Sequence, residues 1–579
     1  MTGQGIRGWA RAAAMGAVLM LGVATGGSAR TDEDTYESLR AEAFEAAQWA
    51  IASDAADALA KVSARFAQGD DAIGRLAEDR EGLITRRDRL EHEIERLYAL
   101  DDESSRARRE TARTEYDAVL ERLRAVDEEI EQRFPAYADL TSPQALSVSE
   151  AQGLLREDEG LLLVLVNPEA AYVWALSRDR VEWARSESLG QDEMAAAVAR
   201  LRASLTTTAA RGQPYIDPSL LQDQTDTAFD RAEAHRLYQE LIAPVEAVFE
   251  GRSTLITVTS GDLSALPLAL LPTEAPDGAD DSAAALAATP WLIDRYALAA
   301  LPSVSSLTAL RCHLVSDPAL RSAGCPPLPA GAAPPQAQTG ERIELAAFGA
   351  PILSGGAVGA ARGAPPAGDL MSDGPLADVE RLRALPALPG SQAELEALQS
   401  RYPRSLVRMG EAATETAVRQ TDREALSRAR FVVFSTHGLL AGSDQAEPGL
   451  VLTPPAVGTA EDDGYLSASE AAELRLTADF VVLSACNTAA SDGQPGGEGL
   501  SGLARAFFYA GARSLVVSHW EVSDAATTEL MTRTFAALDD ADIGERARAL
   551  REGMRAVRDN PRWAHPAYWA PFTLVGEPG

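Results

Sequence analysis

The sequence predicts an α/β protein: a mostly parallel β-sheet flanked by helices and preceded by an α-helical hairpin arm. The sheet is indicated by unbroken apolar runs that alternate with helical segments in the C-terminal third of the chain. The arm is indicated by apolar residues that recur at three-, four- and seven-residue steps further upstream. The 579 residues, 46% hydrophobic and 24% charged, have a globular composition and enough length for two or three domains.

The arm is expected within residues 30–145, as two long amphipathic helices separated by a polar break at residues 101–105. Pro135 ends the second helix. Two such helices joined by a short link predict an antiparallel hairpin of the coiled-coil type. This arm either recognises a protein partner or only packs against the next domain. The two apolar stripes comprise Ile73, Leu76, Leu83, Leu90, Ile94 and Leu97, and then Tyr116, Leu120, Leu123, Val126 and Ile130.

Residues 1–29 have the features of a secretory signal peptide. Arg7 and Arg11 precede a short apolar run at residues 12–24, and the small residues Gly27, Ser28 and Ala29 follow it. That run is shorter than the roughly 20 residues that a membrane-spanning helix needs. We therefore expect an exported protein, periplasmic or secreted, with no stable membrane insertion after the signal is cleaved.

Charge and cysteine content narrow the possible partners and compartments. A net charge of −33 argues against binding to nucleic acid, because the phosphates would be repelled. Of the 3 cysteines, Cys312 and Cys325 lie close enough in sequence to form a disulfide in an oxidising compartment. The alternative is a buried thiol at Cys312 and a free thiol at Cys325 in a loop. Either arrangement leaves Cys486 unpaired.

From residue 147 onward, strands and helices alternate. Three segments rich in Ala, Gly, Pro and Asp predict surface loops: 272–289, 316–342 and 354–378. Strands are expected at 160–166, 171–176, 255–259, 296–301, 345–348, 405–408, 431–434, 480–483 and 514–517. Helices are expected at 194–205, 230–249, 394–402, 414–426, 502–510, 525–538 and 543–558. In a sheet of parallel strands, the ligand binds beyond the carboxyl ends of the strands.

Two of these carboxyl ends carry reactive side chains. The strand at 431–434 is followed by His437, and the strand at 480–483 by Cys486. A thiol needs a neighbouring base or cation to become a thiolate at neutral pH, and imidazole is the usual partner. If the two strands are adjacent or one apart, both side chains project into the same crevice. The N–H groups of Gly438 and Cys486 are then candidate oxyanion donors. The alternative is a buried cysteine and an unrelated capping histidine.

Several motifs resemble those of the CHAT-domain peptidases, which are relatives of caspases, gingipains and separases. They are STHG at 435–438, LSACNT at 483–488 and GGEGLSGLARAFFYAGARSLVVSHWEVSD at 496–524. LITVTSGDLSALP at 255–267 and LPALPGSQAELEAL at 385–398 agree with them. The resemblance implies one caspase-like domain over 146–579, with halves at 146–390 and 391–579. It also implies cleavage of protein substrates, with His437 as base and Cys486 as nucleophile, separated by the roughly 50 residues expected of caspase-type enzymes.

The resemblance also suggests how substrate is selected. In separase-like relatives, the acidic residue of a Trp-x-Val-x-Asp pattern receives a basic P1 side chain, and residues 520–524 match this pattern. Asp524 and Trp520 are therefore the implied substrate-binding residues. Alternatively, Asp524 caps the helix that starts at Ala525. The caspase signature Gln-Ala-Cys-x-Gly is absent from the sequence, so specificity for aspartate is not implied.

No cofactor and no metal are expected. Residues 497–502 match G-x-G-x-x-G, but they begin eleven residues after Cys486 and not in a tight strand-to-helix turn, which argues against a dinucleotide. The 6 histidines lack the spacing of metal ligands, and His519 is predicted to have a structural or substrate-wall role. The alternative to a peptidase is a catalytically silent scaffold that binds other proteins, with the helical arm as its recognition element.

Overall fold

The computed structural model describes the chain in the following ranges: 32–51, 103–133, 145–205, 228–313, 324–325, 342–355, 376–439, 447–485, 488–489, 502–540 and 545–579, with Leu370 and scattered positions between 76 and 97. The chain divides into two compact units, Met1–Phe44 and Glu45–Gly579. The predicted signal peptide and Cys486 lie outside the described residues.

Within the described positions, the arm is a helical hairpin. Arg80 pairs with Asp127 at 2.6 Å, and Arg86 pairs with Glu115 at 3.0 Å. From the first ion pair to the second, the residue number rises from 80 to 86 in one segment and falls from 127 to 115 in the other, so the two segments run antiparallel. The facing stripes also bury an apolar cluster of Leu90, Ala112, Val119 and Leu123. The predicted hairpin is therefore present.

The helices have the following bounds. They are α1 (Asp32–Ala50), α2 (Glu103–Arg133), α3 (Val148–Leu154), α4 (Gln191–Leu205), α5 (Arg231–Leu241), α6 (Ala283–Ala288), α7 (Leu292–Arg295), α8 (Ser306–Thr308), α9 (Val379–Arg383), α10 (Pro389–Arg401), α11 (Arg423–Leu426), α12 (Ala468–Ala472), α13 (Gly502–Ala510), α14 (Asp524–Leu538), α15 (Arg546–Arg558) and α16 (Pro566–Trp569). Across the described ranges, no helix combines the length and the apolar character needed to cross a membrane.

The strands form an 11-stranded and a 3-stranded sheet within the described ranges. They are β1 (Glu159–Val166), β2 (Ala171–Leu176), β3 (Val181–Ser186), β4 (Thr254–Thr259), β5 (Ala297–Ala300), β6 (Ile343–Gly349), β7 (Ser405–Met409), β8 (Ala429–Ser435), β9 (Gly438–Leu439), β10 (Gly449–Val451), β11 (Tyr465–Ser467), β12 (Phe480–Ser484), β13 (Ser514–Ser518) and β14 (Phe572–Gly576). The large sheet has the order β3-β2-β1-β4-β5-β14-β13-β12-β8-β6-β7, and the small sheet has the order β11-β10-β9.

The large sheet consists of two parallel blocks that run in opposite directions. Strands β1, β4, β5 and β14 are parallel to one another, and so are β13, β12, β8, β6 and β7. The blocks meet where β14 pairs antiparallel with β13. At the far edge, β2 and β3 add an antiparallel hairpin. The predicted fold class, a mostly parallel sheet flanked by helices, is confirmed.

Some predicted elements differ from the structure. The helix expected at 230–249 ends at Leu241, because Pro244 cannot continue it, and a short 3₁₀ turn follows at Glu246–Phe249. The segment expected at 414–426 is divided into a π-helical turn at Ala417–Thr421 and α11. The loop expected at 272–289 contains α6, in which an alanine-rich run follows the N-cap Ser282.

Cys312 and Cys325 form a disulfide with a Cα–Cα distance of 5.5 Å, which settles the two alternatives left by the sequence. The neighbouring Arg311 is only 3% exposed and binds two carboxylates. Its guanidinium donates to Glu159 at 2.6 Å and to Glu577 at 3.0 Å. Glu159 begins β1 and Glu577 follows β14, so this buried cluster connects the strands that come first and last in the sequence.

Candidate active site

The strand that leads to His437 and the strand that leads to Cys486 are direct neighbours. β8 pairs in parallel with β12, and Ser435 stands opposite Ser484. The pairing continues for one more step, because the Thr436 N–H donates to the Ser484 carbonyl at 3.3 Å. His437 follows Ser435 by two residues, and Cys486 follows Ser484 by two residues in the sequence. The adjacent arrangement that the sequence left open is therefore the one present.

His437 is 0% exposed, and its imidazole has a defined hydrogen-bond partner. Nε2 lies 2.8 Å from the carbonyl oxygen of Pro386. A carbonyl can only accept, so Nε2 carries the proton and Nδ1 of the neutral ring carries the lone pair. The backbone is held as well, because the His437 carbonyl accepts the Val451 N–H at 3.0 Å. Nδ1 is thus the nitrogen that can take up a proton.

Glu394, which lies on α10, binds both strand ends. Its Oε2 accepts the Ser435 hydroxyl at 3.0 Å and the Ser484 hydroxyl at 3.0 Å. The side chain is 0% exposed. Glu394 was not among the residues predicted from the sequence, although it lies within the motif at 385–398. The only available signal was an acidic residue among the apolar positions of a helix.

Helix α14 begins at Asp524, one residue before the start expected at Ala525, and Ser523 is its N-cap residue. The Asp524 carboxylate accepts the N–H of Gly390, in the first turn of α10. The N-cap residue of α10, Leu388, makes no side-chain capping bond, so this carboxylate caps α10 from another helix. A Cβ on Gly390 would lie 2.5 Å from Oδ2 of Asp524, so the close contact requires glycine.

Trp520 and Gly438, the two other predicted site residues, lie in packed surroundings. The Trp520 side chain is buried, and its indole N–H donates to the Ala567 carbonyl at 3.0 Å. Gly438 lies in β9, opposite Leu450 of β10, directly after the histidine. The substrate-binding and oxyanion roles of these residues remain predictions.

His519 is buried and hydrogen-bonded through Nε2 to the Thr573 hydroxyl at 3.0 Å. Burial, reinforced by the charge of Arg202, lowers the pKa of His519 to about 3. The ring is therefore neutral at physiological pH. Across the described ranges, no group of three or more His, Cys, Asp or Glu side chains could hold a metal ion.

Comparison with known proteins gives one family match and several partial similarities. The family model described as CHAT domain matches residues 231–577. Tetratricopeptide repeat protein 28 of Mus musculus is 37% identical over 112 residues, which is 19% of this chain and 4% of that protein. The Homo sapiens protein of that name is 32% identical over 111 residues, which is again 19% of this chain and 4% of that protein. This chain therefore spans only a small part of these relatives.

Among solved structures, that of the Saccharomyces cerevisiae separase–securin complex has a TM-score of 0.40 and 11% sequence identity to this chain. The match covers 77% of this chain and 31% of that chain.

Proposed function

Because the chain belongs to the CHAT-domain family, we propose that it is a cysteine endopeptidase that cleaves protein substrates with His437 as base and Cys486 as nucleophile. The observation that carries the proposal is the pairing of β8 with β12, in which Ser435 and Ser484 are opposite each other. Cys486 follows Ser484, the last residue of β12, by two residues in the sequence. The proposal is also supported by His437, whose neutral ring donates from Nε2 to the Pro386 carbonyl and can accept a proton at Nδ1.

In the proposed reaction, Nδ1 of His437 takes the proton of the Cys486 thiol, and the thiolate attacks the scissile carbonyl carbon. The oxyanion that forms is stabilised by the N–H groups of Gly438 and Cys486. As the intermediate collapses, the imidazolium gives its proton to the leaving amine, and a thioester remains. Water, deprotonated by His437, then hydrolyses the thioester and releases the free thiol.

The dyad is tested by replacing each member in the full chain. We expect Cys486→Ala and His437→Ala to abolish peptide hydrolysis, while the circular dichroism spectrum stays that of wild type. His235→Gln, at a buried histidine outside the predicted site, serves as a matched histidine control and should retain activity. A Cys486→Ala variant that cleaves at the wild-type rate would refute the assignment. A wild-type chain that neither cleaves peptides nor reacts with a peptidyl electrophile would support the scaffold alternative.

We further propose that Asp524 forms the floor of an S1 pocket for a basic P1 side chain. The proposal is supported by the low exposure of Asp524, 7%, and by its contact with the segment that binds His437. A buried carboxylate pairs well with a guanidinium group. Peptides with Arg, Lys, Asp or Leu at P1 are compared for kcat/KM. Preference for Arg, lost in Asp524→Asn, is expected, and preference for Asp or Leu would eliminate the basic pocket.

We also propose that the mature protein is exported. The features of residues 1–29 support this, and so does the Cys312–Cys325 disulfide, because disulfides persist in oxidising compartments. Cell fractionation and N-terminal sequencing provide the test. A mature chain that begins at Arg30 outside the cytoplasm is expected, whereas a cytoplasmic chain that retains residues 1–29 would contradict export.

A further inference from the structure

We infer that Glu394 is a positioning residue of the proposed active site, which fixes the strand that carries the base against the strand that carries the nucleophile. This inference rests on the proposed His437–Cys486 function and deepens it. Its basis is a single carboxylate oxygen that accepts hydroxyl hydrogen bonds from both strand ends, each at 3.0 Å.

The position of the two hydroxyl groups gives this contact its significance. Ser435 and Ser484 are opposite each other in the β8–β12 pair, and each lies two residues before a member of the proposed dyad. A shift of one strand end relative to the other would stretch one of the two bonds to Glu394. The carboxylate therefore holds both ends at one fixed separation.

Energetics argue that Glu394 does more than fill space. Burying a carboxylate is costly unless hydrogen bonds compensate, and an apolar side chain on this helix would avoid the cost altogether. Two hydroxyl hydrogen bonds to one oxygen restrict the relative position of the two strand ends, which an apolar side chain could not do.

The segment that carries Glu394 contacts the other parts of the site as well. Eight residues before it, the Pro386 carbonyl accepts the Nε2 proton of His437. Four residues before it, the Gly390 N–H binds Asp524. Residues 386–394 thus contact the base, both strand ends and the candidate S1 carboxylate. This segment therefore fixes the positions of these groups relative to one another, and Glu394 is the residue in it that binds both strand ends.

The test uses a readout that needs no knowledge of the substrate. The rate of Cys486 alkylation by iodoacetamide is measured against pH in the full-length chain, with the Cys312–Cys325 disulfide intact. In wild type, pairing with His437 should lower the thiol pKa below the free value of about 8.5. Glu394→Leu removes both acceptor contacts, so we expect a thiol pKa about one unit higher and alkylation at pH 7 about tenfold slower. Glu394→Gln keeps an acceptor of the same size and should restore most of the rate.

Two control variants on α10 separate positioning from general stability. Glu396 is exposed on the same helix, and Glu396→Leu should leave the alkylation profile unchanged. Leu398 is buried, and Leu398→Ala should destabilise the fold without touching either serine. Equal effects of Leu398→Ala and Glu394→Leu on the thiol pKa would overturn the inference. So would a Glu394→Leu profile identical to that of wild type.

The failure of this inference and the failure of the proposed function give different results. A lowered thiol pKa in wild type that is unchanged in Glu394→Leu contradicts only the positioning role. An ordinary thiol pKa in wild type contradicts the dyad itself, and the positioning role with it. A Ser435→Ala/Ser484→Ala double variant should reproduce the effect of Glu394→Leu, because it removes the same two bonds from the other side.

Discussion

Replacing Arg311 with methionine tests whether the buried charge cluster holds the sheet together. The guanidinium lies between Glu159 and Glu577, and all three side chains are almost fully buried. Methionine is of similar length and fills much of the same volume, but it carries no charge. The substitution therefore leaves two carboxylates close together without their shared buried counterion.

Removing one partner of a buried ion pair costs about 3–5 kcal/mol, because the remaining charge is left uncompensated. Two carboxylates lose their buried counterion here and keep only the partly exposed Arg156, so we expect Arg311→Met to destabilise the protein by the lower end of that range, about 3 kcal/mol. Arg156 supplies a matched control: it also pairs with Glu577, at 3.1 Å, but is 43% exposed. Arg156→Met should cost about 1 kcal/mol or less.

The effect of Arg311→Met should depend on pH. Burial by itself raises the pKa of Glu577, but the charge and hydrogen bonds of Arg311 outweigh this and hold the pKa below its ordinary value of 4.5. The stabilisation is therefore present above pH 4.5 and is lost as the pH falls through the lower folded pKa. In the variant, the carboxylates are most unfavourable at neutral pH. The difference from wild type should therefore shrink in acid.

Urea unfolding, followed by the fluorescence of the 8 tryptophans, measures these differences at neutral and acid pH. The variant Arg311→Met/Glu159→Gln/Glu577→Gln removes the buried charges together and should recover most of the lost stability. The reasoning is refuted if Arg311→Met and Arg156→Met have the same unfolding midpoint at neutral pH.

Two further results are expected. Burial, and to a lesser extent the charge of Glu470, raises the pKa of Glu415 from 4.5 to about 8. Between pH 4.5 and 8 the folded state therefore keeps a proton that the unfolded state releases. Stability should fall as the pH rises through this range. Glu415→Gln should flatten this fall in unfolding temperature, by about 1 °C for each kcal/mol involved in a domain of this size, and the exposed control Glu424→Gln should not. Reduction of the Cys312–Cys325 disulfide should cost about 3 kcal/mol. A urea midpoint that dithiothreitol shifts equally in wild type and in Cys312→Ser/Cys325→Ser would contradict the second expectation.

The central strands β8, β12 and β13 were predictable because they are buried on both faces. A fully covered strand needs an apolar residue at every position, and β8, β12 and β13 show this as unbroken runs. Edge strands are less visible: β3 includes polar residues such as Glu182 and Arg185 and is largely half-exposed. Strands β9, β10 and β11 are too short for any periodicity to be detected.

The site was predictable to the extent that reactive residue types follow strand ends. His437 and Cys486 could be selected in this way, because the carboxyl end of a parallel strand is where ligands bind. Glu394 could not, because its partners lie 41 and 90 residues further along the chain. The Pro386 carbonyl that fixes the tautomer of His437 is likewise 51 residues away, and backbone groups leave no mark in a sequence.

The sequence by itself determined most of the buried strands, though not β14, and it determined which reactive side chains follow the strand ends at 431–434 and 480–483. These features depend on burial and on local chain geometry, which the order of residues encodes directly. Only the tertiary structure decided that β8 and β12 are neighbours, that β14 joins two oppositely directed blocks, and that one buried carboxylate connects the two strand ends. These features depend on contacts between residues far apart in sequence, and such contacts exist only once the chain has packed.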